Sequence, residues 1–236
     1  SIQAKLGASN AVAFDLTAAC SGFLFALITA SQFLKAGNFK RALVVGADQL
    51  SSFVDWNDRR SCILFGDGAG ALAIEATNEF DNFIGFDMRT DGERGCFLNL
   101  PSKNNKDSII DNIDFLSGGF SPIQMNGQEV YKFAVKEVPI ILDKLFRKTN
   151  YSSDEVDWLV LHQANQRILD SVGDRLKIPR EKILSNLEKY GNTSAATIPL
   201  MMDEAIRNYS IKQNDIIATS GFGAGLSWGA ALIKWG

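Results

Sequence analysis

The stretch Ala11-Val-Ala-Phe-Asp-Leu-Thr-Ala-Ala-Cys-Ser-Gly-Phe23 reads as a buried strand over residues 11–17 that turns sharply, through small side chains, into a helix. The helix, residues 23–36, is apolar nearly all round and stops at Gly37. A helix without a polar face belongs between other layers, so the spacing predicts a core of more than two. Cys20 then falls at the helix N-terminus, where free N–H groups and the helix dipole favour a thiolate. Its neighbours Ala18, Ala19, Ser21 and Gly22 leave room for a substrate. A buried cysteine acting as a small hydrophobe is the plainer alternative.

Outward from this turn, Arg41-Ala-Leu-Val-Val-Gly-Ala47 reads as a short strand of the parallel-sheet type. Residues 62–65 and 69–75 read as two strands joined through Gly66-Asp-Gly68. From about residue 77 to 121 the composition shifts to Asn, Asp, Gly and Ser, as in a connecting or cap region. Residues 128–148 have helical spacing that Pro139 should bend or split. A strand over 157–161 ends at His162, followed by an amphipathic helix over 165–176 and a short strand over 183–185. A helix over 194–209, interrupted early by Pro199, precedes closing strands over 215–219 and 227–235. The run Cys62-Ile-Leu-Phe-Gly-Asp-Gly-Ala-Gly-Ala-Leu-Ala-Ile-Glu75 has a weak echo in Gly221-Phe-Gly-Ala-Gly-Leu-Ser-Trp-Gly-Ala-Ala-Leu-Ile233. Two related halves would explain it; chance similarity between Gly/Ala-rich turns is the alternative.

The chain has 236 residues, 46% hydrophobic and 22% charged, enough to bury a sizeable core. Its net charge is −3, from 24 basic and 27 acidic residues, so no nucleic-acid bias shows. With 1 histidine and 3 cysteines, no two-histidine metal site, no His–His pair and no dense disulfide framework can be built. Three widely spaced cysteines suit a reducing compartment. No basic segment followed by an apolar one marks a leader. The most apolar run, residues 23–33, falls short of the ~20 residues of a membrane span. A soluble intracellular protein is expected, with no membrane partner.

His162, in Leu161-His-Gln-Ala-Asn165, ends a strand, where α/β folds present functional side chains. The amides around it suit a pocket lining better than an apolar core. Asn192, in Tyr190-Gly-Asn-Thr-Ser194, sits at a turn before a helix, where capping is the alternative use. Gly191 suggests an unusual backbone angle. Gly66-Asp-Gly-Ala-Gly-Ala71 leads into a strand rather than a helix, which argues against a dinucleotide loop. Gly221-Phe-Gly-Ala-Gly225 could turn backbone N–H groups toward a substrate oxygen. The order Cys, His, Asn also occurs in papain-like proteases, whose histidine follows the cysteine by about 130–150 residues. Here the spacing fits, but the surroundings of Cys20 lack the protease's preceding cysteine and following aromatic residue.

Taken together, Ala18-Ala-Cys-Ser-Gly-Phe23, Phe65-Gly-Asp-Gly-Ala-Gly70, His162-Gln-Ala-Asn165, Tyr190-Gly-Asn-Thr-Ser-Ala195 and Gly221-Phe-Gly-Ala-Gly225 resemble the β-ketoacyl-acyl-carrier-protein synthase III family. The resemblance covers nearly the whole chain. It implies an α/β, thiolase-like fold: two related halves in a layered α-β-α-β-α sandwich. Residues 1–77 would hold the remainder of the N-terminal half with the nucleophile, 78–121 the connecting region, and 122–236 the C-terminal half. It also implies an acyltransferase that starts type II fatty-acid synthesis by decarboxylative Claisen condensation.

In that resemblance Cys20 takes the acyl group from acyl-coenzyme A. His162 and Asn192 hydrogen-bond the malonyl thioester carbonyl as it gains enolate charge. The backbone N–H groups of Cys20 and Ala224 form the oxyanion hole, and Phe222 shapes the decarboxylation pocket. Arg59 matches the coenzyme A contact, and Arg167 and Lys132 the positions facing the acidic acyl carrier protein. Arg167, Arg175, Lys177, Arg180 and Lys182 form a local basic cluster, though Asp170, Asp174 and Glu181 are interleaved. No metal or cofactor is implied; the substrates are acyl-coenzyme A and malonyl-acyl-carrier protein. A homodimer and a cytoplasmic or plastid-stroma location follow from the same resemblance.

Residue counts separate the relatives. Elongating synthases use two histidines, and thiolases need a second catalytic cysteine in the C-terminal glycine-rich region. Neither is available, because His162 stands alone and no cysteine follows Cys96. A β-ketoacyl-coenzyme A or polyketide-type synthase remains the alternative enzyme, and a non-catalytic carrier-protein-binding remnant the alternative of another class. Family members carry several elements before the nucleophile, so the chain is expected to be a fragment with an incomplete N-terminal half.

Overall fold

The computed structural model describes residues 2–77, 81–103, 105–110, 113–117, 119–208 and 210–236, with backbone alone over 105–110 and 113–117. Four helices and six strands carry the site. In chain order they are α1 (Gly22–Lys35), β1 (Arg41–Gln49), β2 (Asp67–Glu75), β3 (Phe83–Thr90) and α2 (Gly127–Thr149). Then come β4 (Trp158–Leu161), α3 (Gln166–Leu176), α4 (Thr197–Arg207), β5 (Ile216–Gly223) and β6 (Ser227–Lys234). Strands β1 and β2 pair antiparallel as a two-stranded sheet. The other four form one sheet in the order β3-β6-β5-β4, with β4 parallel to β5 and the remaining pairs antiparallel.

Helices α1 and α4 lie between the two sheets. Their inward residues Phe23, Leu24, Leu27, Ile28, Ile198, Met201 and Met202 interdigitate with Val44 of β1, Ile217 of β5 and Ala231 of β6. Helices α2 and α3 cover the other face of the four-stranded sheet, where Phe133, Leu142, Leu145, Leu169 and Val172 meet Leu159, Ala230 and Leu232. Both clusters consist of buried apolar side chains, so truncating one of the large ones to alanine costs about 2–5 kcal/mol. Among the described residues the layers therefore run sheet, helices, sheet, helices, which agrees with a multilayer core.

The two halves share more than their order. Each helix of the middle layer is entered through a 3-10 turn, Ala19–Ser21 before α1 and Ser194–Ala196 before α4. Each turn opens on a non-glycine residue in the left-handed region, Ala19 at φ 46° and Ser194 at φ 53°. After each helix comes an antiparallel strand pair with facing glycines, Gly46 opposite Gly70 and Gly221 opposite Gly229. A side chain on Gly46 would collide with the Ala195 carbonyl, and one on Gly221 would meet Ser21 Cα at 3.6 Å. Each sheet thus carries a glycine where the opposite half's turn comes close, and Ala195 occupies the position in its turn that Cys20 has in the other.

Several local expectations differ from the structure. Residues 11–17 form no strand: they lie outside any ladder, with Val12 and Phe14 exposed. Residues 62–65 are not a strand either. Asp58 accepts the Arg60 N–H at 3.1 Å and starts the short helix Arg59–Cys62, leaving Phe65 a single bridge to Asn192. Strand β1 has an antiparallel neighbour rather than a parallel one. The expected strand at 183–185 is a single bridge between Ile183 and Leu159. Within 78–121, Phe83–Thr90 is the edge strand β3. Helix α1 is not buried all round; Phe33 is exposed and meets Phe14 and Phe39 edge to face.

The two prolines break nothing. Pro199 is the third residue of α4, within the first turn, where N–H groups have no helical partner to lose. Pro139 lies inside an unbroken α2. The carbonyl it leaves free, that of Val135, accepts the Arg175 guanidinium at 2.8 Å. The C-terminal end read at Tyr209 lies outside the described residues, and α4 ends at Arg207.

Candidate active site

Cys20 sits in the middle of the turn that leads into α1 and is buried. Strand β5 passes beneath its amide so closely that a Cβ on Gly223 would lie 2.6 Å from the Cys20 nitrogen. Only glycine fits there. The following turn, with Ala224, is pinned to the Asp91 backbone by Asp91 N–H to Leu226 O at 2.8 Å and Leu226 N–H to Asp91 O at 3.0 Å. Cys20 and Ala224 therefore both neighbour Gly223, one across from the strand and one next along the chain.

His162 follows β4 directly and its backbone N–H extends the ladder to Ser220 O at 2.8 Å. His162 is 2% exposed. Its Nδ1 lies 2.7 Å from Thr197 Oγ1, which leaves Nε2 as the nitrogen open to a ligand. Phe222 packs edge to face on the imidazole, 5.2 Å between centroids.

Asn192 is held by its backbone between the two halves, its N–H on Leu64 O and its carbonyl under Gly66 N, both at 2.9 Å. The preceding Gly191 has φ 64°, as its place in the sequence suggested. Asn192 Oδ1 accepts the Ser194 N–H at 2.9 Å. That bond fixes the amide so that Nδ2 is left to donate.

The three side chains meet around the start of α4. Ser194 Oγ donates to Cys20 Sγ at 3.2 Å, Ser194 N–H holds Asn192, and Thr197 holds His162. Ser194 and Thr197 were not apparent as site residues in the sequence. The available signal was their i, i+3 spacing within Asn192-Thr-Ser-Ala-Ala-Thr197, on one face of a helix start. At the equivalent turn of the other half, the Ala195 N–H is occupied by Asp48 Oδ2 at 3.0 Å.

Burial decides the protonation states. It pushes the Cys20 thiol up to about 11, assisted by the negative charge of Asp48, while the Ser194 hydrogen bond and the backbone N–H act the other way. The thiolate expected from the helix N-terminus is therefore not the resting form; loss of water outweighs the helix end. Burial also pulls His162 down to about 3, so its imidazole is neutral. A thiol beside a neutral imidazole is unlike the thiolate–imidazolium pair of cysteine proteases.

The outlying residues divide into two places. Arg59 is exposed at the start of the short helix Arg59–Cys62. Arg167 lies over the Tyr131 ring, 5.4 Å to its centroid, beside Lys132, which pairs with Glu129 at 2.7 Å. A cavity of about 220 Å³ opens here, lined by Arg94, Phe97, Glu129, Lys132, Phe133 and Lys136. Phe133 touches Phe222, so this cavity reaches toward the His162 pocket. The basic cluster is partly structural: Arg175 and Lys182 hold backbone carbonyls, and Arg180 holds Ile183 O and pairs with Asp170. A second cavity of about 330 Å³, lined by Arg180, Lys189 and Glu204 among others, includes none of Cys20, His162 or Asn192. Among the described residues no three His, Cys, Asp or Glu side chains group as a metal site, and no helix is long and apolar enough to cross a membrane.

Two related halves with a buried Cys, His and Asn at the junction define a thiolase-like condensing enzyme. The 3-oxoacyl-[acyl-carrier-protein] synthase III model matches residues 14–92, and its C-terminal counterpart matches residues 146–235. Beta-ketoacyl-[acyl-carrier-protein] synthase III of Prochlorococcus marinus strain MIT 9215 is 97% identical over 236 residues, 100% of this chain and 70% of that protein. That of strain MIT 9312 is 93% identical over the same shares. The crystal structure of 3-oxoacyl-[acyl-carrier-protein] synthase III from Aquifex aeolicus VF5 superposes with TM-score 0.89 at 38% identity, covering 99% of this chain and 70% of that one. The chain belongs to the β-ketoacyl-acyl-carrier-protein synthase III family.

Proposed function

We propose that Cys20, His162 and Asn192 divide the two half-reactions of this family between them. The chain is an acyltransferase of the condensing type, starting fatty-acid synthesis by joining an acyl-coenzyme A primer to malonyl-acyl-carrier protein. In loading, Cys20 Sγ bonds to the acyl carbon, the bond to coenzyme A sulfur breaks, and the thiol proton leaves with coenzyme A. In condensation, malonyl loses carbon dioxide and its thioester oxygen takes on enolate charge. Donors from His162 Nε2 and Asn192 Nδ2 stabilise that charge. With the Thr197 hydroxyl donating to Nδ1, the neutral imidazole carries its hydrogen on Nε2.

The enolate carbon then attacks the acyl-Cys20 thioester. Its tetrahedral oxyanion rests on the N–H groups of Cys20 and Ala224, and collapse breaks the carbon–sulfur bond, releasing Cys20 to be reprotonated. Phe222 keeps water from the imidazole and the forming enolate. Arg59 contacts coenzyme A, and Arg167 with Lys132 meets the acidic carrier protein beside the cavity on α2. The enzyme needs no metal or cofactor, works as a homodimer, and acts in the cytoplasm or plastid stroma.

The single observation that carries this reading is the convergence on Ser194 and Thr197. Through them a thiol, an amide donor and a ring nitrogen serve one pocket. Incubation with acetyl-coenzyme A followed by peptide mass spectrometry tests it. An acetyl group on Cys20 is the expected result. Folded protein without that adduct would leave a non-catalytic, carrier-protein-binding role instead.

A further inference from the structure

We infer that Ser194 is a catalytic residue of the loading half-reaction, its hydroxyl stabilising the sulfur of Cys20 as negative charge develops on it. The inference rests on Cys20 being the nucleophile and adds the group that makes its sulfur usable. Three observations support it. Ser194 Oγ lies 3.2 Å from Cys20 Sγ across the junction of the two halves, and both residues are buried. Ser194 holds φ 53°, an uncommon conformation for a residue with a side chain. The hydroxyl has no other hydrogen-bond partner among the described residues, so its proton is available to sulfur.

The need for such a donor follows from burial, which disfavours a thiolate at this position. The charged and titratable groups facing Cys20 are few. Asp48 on β1 works against the thiolate, and His162, just after β4, is neutral and reaches the turn only through Thr197. A hydrogen bond to an ionised sulfur strengthens as the sulfur gains charge, so it lowers the barrier rather than merely holding the thiol. In loading, the Ser194 proton stays on its oxygen. The sulfur–carbon bond to the acyl group forms, the bond to coenzyme A sulfur breaks, and the Cys20 proton departs with coenzyme A.

Ser194→Ala removes the hydroxyl but keeps the N–H that orients Asn192. Ser194→Gly does the same and also relieves the backbone conformation. The test measures, from pH 6 to 10, the rate of Cys20 alkylation by iodoacetamide, read by peptide mapping with Cys62 and Cys96 as internal references. Acetyl transfer from acetyl-coenzyme A to Cys20 and malonyl-acyl-carrier-protein decarboxylation are followed alongside. In both variants Cys20 alkylation should slow about tenfold at each pH across this range, and acetyl transfer should slow roughly tenfold. Decarboxylation should stay within about twofold. Unchanged profiles and loading in either variant would overturn the inference, as would an equal loss in both half-reactions. If Cys20 is not the nucleophile, the wild-type protein itself takes no acetyl group, a result distinct from any effect of Ser194.

Discussion

Thr197 Oγ1 lies 2.7 Å from His162 Nδ1 and 2.9 Å from the Ser194 carbonyl, with one hydroxyl hydrogen to serve both. The Ser194 carbonyl also receives the Thr197 backbone N–H, so it keeps a partner when the hydroxyl turns to the ring. A hydroxyl donating to Nδ1 leaves the ring hydrogen on Nε2. His162 is the chain's 1 histidine, so long-range proton–nitrogen correlation of the imidazole needs no assignment. The wild type should show Nε2–H. Thr197→Val should populate the other tautomer and slow decarboxylation about tenfold, with Thr197→Ser restoring both. An Nδ1–H ring in the wild type would contradict the donor role of Nε2.

Changing His162 or Asn192 to Ala should separate the half-reactions. Each removes one donor to the enolate, so malonyl decarboxylation should fall by roughly 10²–10³. Acetyl loading on Cys20 should change only a few-fold, because neither side chain is bonded to the sulfur. Parallel decarboxylation and loading assays decide this, and a reversed pattern would refute the assigned roles.

Two glycines two residues apart on β5 should respond differently. A Cβ at Gly223 would stand 2.6 Å from the Cys20 nitrogen, against a backbone that cannot move without shifting the proposed oxyanion hole. Gly223→Ala should abolish acyl transfer and cost about 1–3 kcal/mol of stability. At Gly221 the nearest atom would be Ile198 Cδ1 at 3.5 Å, an ordinary contact. Gly221→Ala should therefore fold and retain measurable loading, as denaturation midpoints and the acetyl assay would show.

Stability should fall on both sides of neutrality because of the site itself. The folded chain holds His162 down to about 3, whereas an unfolded histidine titrates near 6.5. Between those values the unfolded state binds the extra proton, so acidification below about 6.5 costs on the order of 1 kcal/mol per pH unit. On the alkaline side, Cys20 is raised from 9.0 to about 11, so the unfolded state loses its proton first and stability falls above about 9. Urea midpoints for His162→Gln should show a shallower acid limb, and those for Cys20→Ser a shallower alkaline one. Limbs identical to the wild type would mean that neither group is held as described.

The Arg175–Val135 bond makes Pro139 tolerable inside α2. Arg175→Met should destabilise the protein by about 1 kcal/mol. In a Pro139→Ala background the new N–H can serve Val135, and the same change should cost much less. A double-mutant cycle measures that coupling, and additive effects would show that Pro139 and Arg175 act independently.

The candidate site residues are more legible in the sequence than the strands around them. Cys20, His162 and Asn192 stand out at small-residue turns and strand ends, and the family resemblance supplies the roles proposed for them. Residues 11–17 looked like a strand by apolarity, but a strand exists only where a neighbour supplies its hydrogen bonds. Residues 62–65 misled in the same way, because the Asp58 cap settled their conformation locally. The resting thiol and the ties through Ser194 and Thr197 could not be read from spacing. They depend on side chains from the two halves, Cys20 and Ser194 above all, meeting after folding.

The paired turns bear on how the site is poised before any substrate arrives. At Ala195 the amide hydrogen already holds an anionic oxygen, Asp48 Oδ2 at 3.0 Å. At Cys20 the matching amide is the one proposed to receive an oxygen that becomes anionic only during reaction. One half therefore carries a permanent cast of what the other half forms for an instant: a negative oxygen seated on the first amides of a helix. Where the filled turn has Ala195 above Asp48, the proposed working turn has Cys20 above Gly223, the copy whose anion would be left for the substrate to bring.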